Sequence, residues 1–162
     1  MPRYLRQRDR FSCGPICLLN IVKFQGEKVT YEADYPAWRD FVNCGIFRVK
    51  RKSGGISKNG TSVRAFNRVA RQLGCRRMRT PNMRKMDKCL ANGFALALQV
   101  RYNSYHAHFF LITQRRKDAL YCVNLYEGET AGWISRKKFY KDNRKHTTEF
   151  RVWVVPKDFP CP

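Results

Sequence analysis

Apolar residues in the N-terminal half of the chain recur at helical spacing. Between Cys13 and Phe24 they occur nearly all round the helical wheel, which predicts a buried helix. Ser12 stands where its N-cap would be, Pro15 is tolerated only in a first turn, and Gly26 ends the helix. The pattern therefore places Cys13 at a helix N-terminus.

Further helices are predicted where start and stop signals frame a weaker apolar period. They cover residues 31–44 with an interruption at Pro36, residues 63–73 between a Thr61 or Ser62 cap and Gly74, and residues 82–91 before Asn92-Gly93. The basic, Gly- and Ser-rich stretch 47–60 predicts an exposed loop between the first two of these helices.

The C-terminal half changes to short apolar or alternating runs, which are typical of strands. The predicted elements are a short strand at 75–79, strands at Phe94–Arg101, His108–Gln114 and Leu120–Leu125, a short helix near 135–142 and a last strand near 149–155. Helices first and an antiparallel sheet afterwards indicate the α+β class. A length of 162 residues suits a single domain, spanning residues 1–162.

The charge balance adds a preference for polyanions. The chain has 33 Lys plus Arg against 12 Asp plus Glu, a formal net charge of +21. Nucleic acid, an acidic protein surface and an anionic membrane all remain open as partners, because charge alone does not choose among them. The basic clusters lie at Arg48–Lys52, Arg76–Lys88, Arg115–Lys117 and Arg136–Lys145. Binding of nucleic acid there would be dominated by phosphate contacts and sensitive to salt.

Cysteine usage indicates a reducing, intracellular compartment. The chain has seven cysteines, an odd number, and no Cys-x-x-Cys pair. The N-terminus carries no apolar signal segment, and no apolar run approaches the length of a membrane span. Cys13 and Cys17 are spaced for one helix face, but no second ligand pair has zinc spacing. We therefore expect neither a metal nor a cofactor, and Cys17 is interpreted as a core residue.

Four side chains form a candidate catalytic set. Cys13 at a helix N-terminus would gain thiolate character from the helix dipole. Adjacent antiparallel strands would bring His108 and Asn124 side by side, so that the Asn124 amide oxygen accepts from one ring nitrogen and the other faces Cys13. Gln7, six positions before Cys13, could reach the same pocket as an oxyanion donor.

These residues resemble the papain-like cysteine peptidases. Gln7 followed by Cys13-Gly14-Pro15 is similar to the nucleophile segment of the bacteriocin-leader-processing, double-glycine branch. The chain also has that branch's Gly60-Thr61-Ser62, Leu73-Gly74 and His108-Phe109-Phe110, and its last triad position sixteen residues later at Asn124. Two positions depart from the branch: Ser12 replaces the usual Asp, and Leu125 replaces the usual Pro.

The resemblance implies a papain-like fold and acyl transfer through a thioester. Cys13 would be the nucleophile, His108 the base, Asn124 its orienter, and Gln7 with the Cys13 backbone N–H the oxyanion donors. His106 competes with His108 but is interpreted as a residue of the cleft rim, and His146 as solvated. Gly54-Gly55 resembles a self-processing site, and we interpret it as a flexible loop.

Three functional hypotheses follow. The first is a cysteine peptidase that cleaves a peptide or isopeptide bond, as a phage or viral product working near nucleic acid or in the virion. The second is an idle papain-like fold that serves as a basic nucleic-acid-binding or structural virion protein. The third keeps the triad but changes the acyl acceptor, which gives an amidase, a deamidase or a transglutaminase-like enzyme.

Overall fold

The structure, a computed structural model, describes residues 3–8, 12–43, 61–101, 107–125, 130–143 and 151–158. Five helices lie in these ranges: α1 (Cys13–Phe24), α2 (Tyr31–Asn43), α3 (Val63–Gln72), α4 (Met83–Ala91) and α5 (Arg136–Asn143). The predicted loop at 47–60 lies outside the described residues.

The helix boundaries follow from local capping chemistry. Ser62 Oγ accepts from the backbone N–H of Ala65 at 3.1 Å and begins α3, and Asn82 does the same for α4. Glycines with positive φ follow α1, α3 and α4, namely Gly26 at 95°, Gly74 at 73° and Gly93 at 81°. The predicted stops of all three helices are therefore confirmed, as are the capped starts of α3 and α4; α1 begins at Cys13 as predicted, but without a side-chain cap from Ser12.

Helix α2 corrects one prediction, because it continues through Pro36. A proline at this position removes the N–H that would bond to the Glu32 carbonyl. Glu32 is exposed in the first turn of the helix, so water can take the place of the missing donor. The break in hydrogen bonding is therefore tolerated, and the helix is not interrupted there.

Six strands in the described ranges form one antiparallel sheet. They are β1 (Arg76–Arg77), β2 (Ala95–Arg101), β3 (Ala107–Arg115), β4 (Ala119–Val123), β5 (Ala131–Ser135) and β6 (Arg151–Val155). The order across the sheet is β1-β6-β2-β3-β4-β5. The sequence prediction missed β5, which pairs with β4 from Ala119↔Ser135 to Val123↔Ala131.

The two faces of the sheet bury two separate cores. Phe109 and Leu111 of β3 point to the face that packs against α1 and α3, where Phe66 stacks on Phe109 with ring centroids 4.3 Å apart. Phe110 and Ile112 point to the opposite face, which packs against α4 and α5. This alternation confirms the strand period of the sequence and the predicted α+β class.

Candidate active site

Cys13 is the first residue of α1 and is buried, with 6% of its surface exposed. Ser12 occupies the N-cap position and its carbonyl accepts from Ile16 at 2.9 Å, but its side chain makes no capping bond to the first turn. Pro15 has no N–H to satisfy. The backbone N–H groups of Cys13 and Gly14 are therefore not occupied by a Ser12 cap, and such groups at a helix N-terminus attract negative charge.

Gly14 lies directly against the Thr61 side chain. A Cβ added at Gly14 would overlap both Thr61 Oγ1 and Thr61 Cβ. Thr61 is itself buried and precedes Ser62, the N-cap of α3. The Gly60-Thr61-Ser62 element of the sequence thus includes a residue that packs beside the candidate nucleophile.

We expect Gly14→Ala to destabilise the protein by about 1–3 kcal/mol, because an overpacked core costs that much. The gain in helix propensity offsets about 0.5–1 kcal/mol at most. Urea denaturation measures the free energy of unfolding. Gly132→Ala is the matched control, since a Cβ there meets no described atom within 4 Å. Equal stability of the two variants would contradict the close contact with Thr61.

His108 of β3 and Asn124, which follows β4, lie close together, as the sequence predicted. His108 Nε2 lies 2.6 Å from the backbone carbonyl oxygen of Asn124. A carbonyl oxygen can only accept, so Nε2 carries the proton and Nδ1 is the basic nitrogen of the neutral ring. The His108 side chain is half-buried, and its ring lies nearly parallel to that of Phe110, at an angle of 18°.

The atom of Asn124 that contacts His108 differs from the prediction. The side-chain amide oxygen accepts instead from the Gln7 backbone N–H at 3.3 Å, and Nδ2 donates to the Leu5 carbonyl at 2.8 Å. Asn124 has φ of 55°, a left-handed conformation that asparagine tolerates better than most residues. This conformation follows the end of β4 and lets one residue contact the histidine through its backbone and the N-terminal segment through its side chain.

The N-terminal segment 3–8 holds Gln7 beside this pair. The Leu5 backbone makes two hydrogen bonds to the Asn20 side chain of α1. The Leu5 N–H donates to Asn20 Oδ1 at 2.7 Å, and Asn20 Nδ2 donates to the Leu5 carbonyl oxygen at 3.0 Å. Arg8 pairs with Glu32 at 2.8 Å and stacks over the Tyr31 ring. Gln7 is 6% exposed. The structure therefore brings Gln7, His108 and Asn124 into one hydrogen-bonded group.

Asn20 is a residue that the sequence analysis missed. It is fully buried in the middle of α1 and ties Leu5 to the helix. Its signal is its position as the one polar residue in the apolar run from Ile16 to Val22. A buried amide needs partners, so such a residue points to a backbone segment packed against the helix.

The buried thiols around Cys13 are held in the protonated form. Burial, and secondarily the neighbouring Cys13, raises the pKa of Cys17 well above its usual range. Burial also raises the pKa of the Cys75 thiol to about 12. All five cysteines of the described ranges are thiols, and no group of His, Cys, Asp and Glu there is arranged to hold a metal ion. His106, His146 and Gly54-Gly55 lie outside the described residues.

Solved structures share this arrangement of helices and sheet. The peptidase domain of Streptococcus ComA, a bi-functional ABC transporter involved in a quorum-sensing pathway, has a TM-score of 0.65 and 16% sequence identity. The match covers 96% of this chain and 99% of that domain. A Bacillus anthracis protein described as a C39-like peptidase has a TM-score of 0.63 and 11% identity, with 94% of each chain covered. The fold is that of a papain-like peptidase domain.

The papain-like fold was predicted from the sequence and is confirmed by these neighbours. The peptidase domain of Streptococcus mutans ComA is a further match, with a TM-score of 0.54 and 13% identity over 95% of this chain and 99% of that one. At the level of sequence, no protein-family model and no curated protein matches the chain. No helix in the described ranges is long and apolar enough to cross a membrane.

Proposed function

We propose that the chain is a cysteine peptidase with Cys13 as nucleophile and His108 as base. The observation that carries the proposal is the 2.6 Å contact between His108 Nε2 and the Asn124 carbonyl. It fixes the proton on Nε2 and leaves Nδ1 as the nitrogen able to take a proton. A neutral ring with one basic nitrogen is what a general base for the Cys13 thiol needs.

In the proposed reaction, Cys13 first transfers its proton to His108 Nδ1, and the thiolate Sγ then forms a bond to the carbonyl carbon of a peptide. The tetrahedral intermediate collapses as the C–N bond breaks, and the departing amine takes the proton from His108. A water molecule then gives a proton to His108 and attacks the thioester. The C–S bond breaks as this second intermediate collapses, the acid is released, and His108 returns the proton to Cys13. The Asn124 carbonyl stabilises the imidazolium at the stages where the ring is doubly protonated.

Gln7 and the N-terminus of α1 supply the proposed oxyanion donors. The Cys13 N–H lies at the N-terminus of α1, where backbone N–H groups attract negative charge. The position of Gln7 is fixed by its own backbone N–H on Asn124 and by the clamped Leu5. A donor held before the reaction begins needs no reorganisation when the oxyanion forms, and one such donor contributes about 3 kcal/mol to transition-state stabilisation.

The test is the pH dependence of iodoacetamide alkylation at Cys13, followed by peptide mass spectrometry. An isolated thiol ionises near pH 8.5. We expect the Cys13 profile to have its midpoint below about pH 7, because a protonated His108 stabilises the thiolate. In His108→Ala and His108→Gln the midpoint should rise to the ordinary range of a thiol or above it, because Cys13 stays buried.

Other cysteines of the same chain are internal references for this experiment. Cys17 and Cys75 are buried with raised pKa values, and burial also raises the pKa of the partly exposed Cys89. None of the three should share the low midpoint. A Cys13 profile that coincides with that of Cys89, or that is unchanged in both His108 variants, would rule out the activated pair and favour the idle fold.

A further inference from the structure

An arginine cleft of about 620 Å³ lies at the β1 edge of the sheet. The cleft is defined here by five of its lining residues: Arg71, Arg76, Arg77, Arg79 and Arg151. Among the described residues, no Lys, Asp or Glu lines it. The first four side chains are exposed, and none of them pairs with an acidic side chain in the part of the chain that the structure describes. Five arginines around one concavity repel one another and attract an anionic ligand.

The arginine cleft extends toward the end of the sheet that holds His108. Arg151 Nη1 bonds to Gln99 Oε1 at 2.9 Å, and Gln99 is the residue before Val100, which is the cross-strand partner of His108. Strand β6 is two strands from β3. With neighbouring strands about 4.8 Å apart, the near end of the cleft is about 10 Å from the His108 backbone. An extended polypeptide covers that distance in about three residues, and it covers the distance of about 19 Å from a strand added beside β1 to β3 in about six.

The chemistry of the cleft favours a polypeptide ligand over a nucleic acid. Guanidinium groups bind carboxylates in a bidentate manner, as they bind phosphates. Strand β1, however, is the last strand of the sheet, and no described strand pairs with its outer edge. Only a polypeptide can add its backbone to such an edge as a further strand. We propose that the arginine cleft binds an acidic stretch of the substrate polypeptide a few residues from the scissile bond; this rests on the proposed peptidase function.

The cleft would then act as a specificity site. Peptides with Asp or Glu side chains about three to six residues from the cleaved bond are bound, and neutral or basic peptides are disfavoured by the same arginines. The high net charge of the chain would in this way contribute to the choice of substrate, and not only to solubility.

Binding is tested in the Cys13→Ala protein, so that no peptide is hydrolysed during the measurement. The probe is a fluorescein-labelled peptide of eight residues rich in Asp and Glu, and its affinity is read by fluorescence anisotropy at 150 mM salt. Its Asn/Gln isostere is the matched peptide. We expect the acidic peptide to bind at least tenfold more tightly than the isostere. The triple variant Arg76→Gln, Arg77→Gln, Arg79→Gln should raise its Kd at least tenfold.

A second triple variant removes equal charge elsewhere. Arg84→Gln, Lys88→Gln and Lys137→Gln change residues on α4 and α5, outside the arginine cleft. We expect this protein to bind the acidic peptide within twofold of the parent. Equal weakening by both triple variants would overturn the proposal, because the attraction would then belong to the whole surface. Binding of single-stranded DNA that depends on the cleft arginines and is tighter than that of the peptide would also overturn it.

Failure of this proposal can be told apart from failure of the peptidase function. The triple arginine variant, made in the protein that retains Cys13, should keep the wild-type alkylation profile at Cys13. An unchanged profile shows that the fold and the candidate site are intact. With an active protein, the cleft variant should raise KM for peptides with an acidic flank and leave kcat unchanged. If Cys13 is alkylated no more readily than Cys89 while acidic peptides still bind through the arginine cleft, the peptidase function fails and the binding proposal stands. The protein would then bind peptides without hydrolysing them.

Discussion

We expect Cys13→Ala to abolish peptide hydrolysis, because Cys13 is the proposed nucleophile. We expect His108→Ala to lower the rate by about 10²–10⁴-fold, because His108 is the proposed base. Removal of the nucleophile leaves no thioester route, so this effect is the largest that any single variant should show. Removal of the base leaves a thiol that must lose its proton to water. Cleavage of a proteome-derived peptide library, with new termini identified by mass spectrometry, measures both effects and requires no preselected substrate.

The matched control for this measurement is Cys89→Ala. Cys89 is a partly exposed thiol on α4, on the other face of the sheet from α1. Its removal should leave the rate unchanged within about twofold. Cleavage that persists in Cys13→Ala would refute the assignment of the nucleophile. Addition of a primary amine to the wild-type reaction separates hydrolysis from acyl transfer, since a transferase would give the amide product in place of the acid.

Most of the fold was predictable because its signals are local. The apolar run from Cys13 to Phe24 permits only a buried helix, and Ser62, Asn82 and the positive-φ glycines mark helix ends through bonds within a few residues. The contact between His108 and Asn124 was predictable for a related reason. A hairpin with a short turn brings the far ends of its two strands close together, although the register pairs Leu111 with Val123 and so leaves Asn124 offset by two residues from His108.

What could not be predicted depends on contacts far apart in the sequence. Strand β5 is short and only partly buried, and its pairing with β4 gives it a regular structure that its own pattern does not demand. The sequence indicated Asn124 as a member of the site, but not the left-handed φ that presents its carbonyl to His108. The clamp of Leu5 by Asn20 and Asn124 joins residues 15 and 119 positions apart.

Charge remains the least specific part of the sequence analysis. A net charge of +21 predicts attraction to polyanions, and the expected association with nucleic acid, a phage or virus, or a virion stays a prediction from that number. Five of the arginines that contribute to this net charge line the arginine cleft. Because the near end of that cleft is about 10 Å from the His108 backbone, the proposed acidic substrate would account for the arginines there without a second macromolecular partner.

Asn124 contacts His108 through its backbone carbonyl and the N-terminal segment through its side-chain amide. Asn124→Gly should keep the first contact and lose the second. Glycine adopts the left-handed φ readily and keeps the carbonyl that contacts His108, so the midpoint of Cys13 alkylation should stay below about pH 7. The amide bonds to Gln7 and Leu5 are lost, so hydrolysis should fall by about 10²-fold as the oxyanion donor loses its position. Loss of the two bonds should also cost about 2 kcal/mol of unfolding free energy.

Asn124→Asp is the complementary variant. Its carboxylate can still accept from the Gln7 N–H. At the position of Nδ2, however, it places a second acceptor against the Leu5 carbonyl oxygen, and the two oxygens repel each other. The N-terminal segment is therefore held by one bond in place of two. We expect a smaller loss of hydrolysis than in Asn124→Gly and the same alkylation midpoint as wild type. If Asn124→Gly raises the midpoint as far as His108→Ala does, the side chain and not the carbonyl orients the histidine. The interpretation from the sequence alone would then be the correct one.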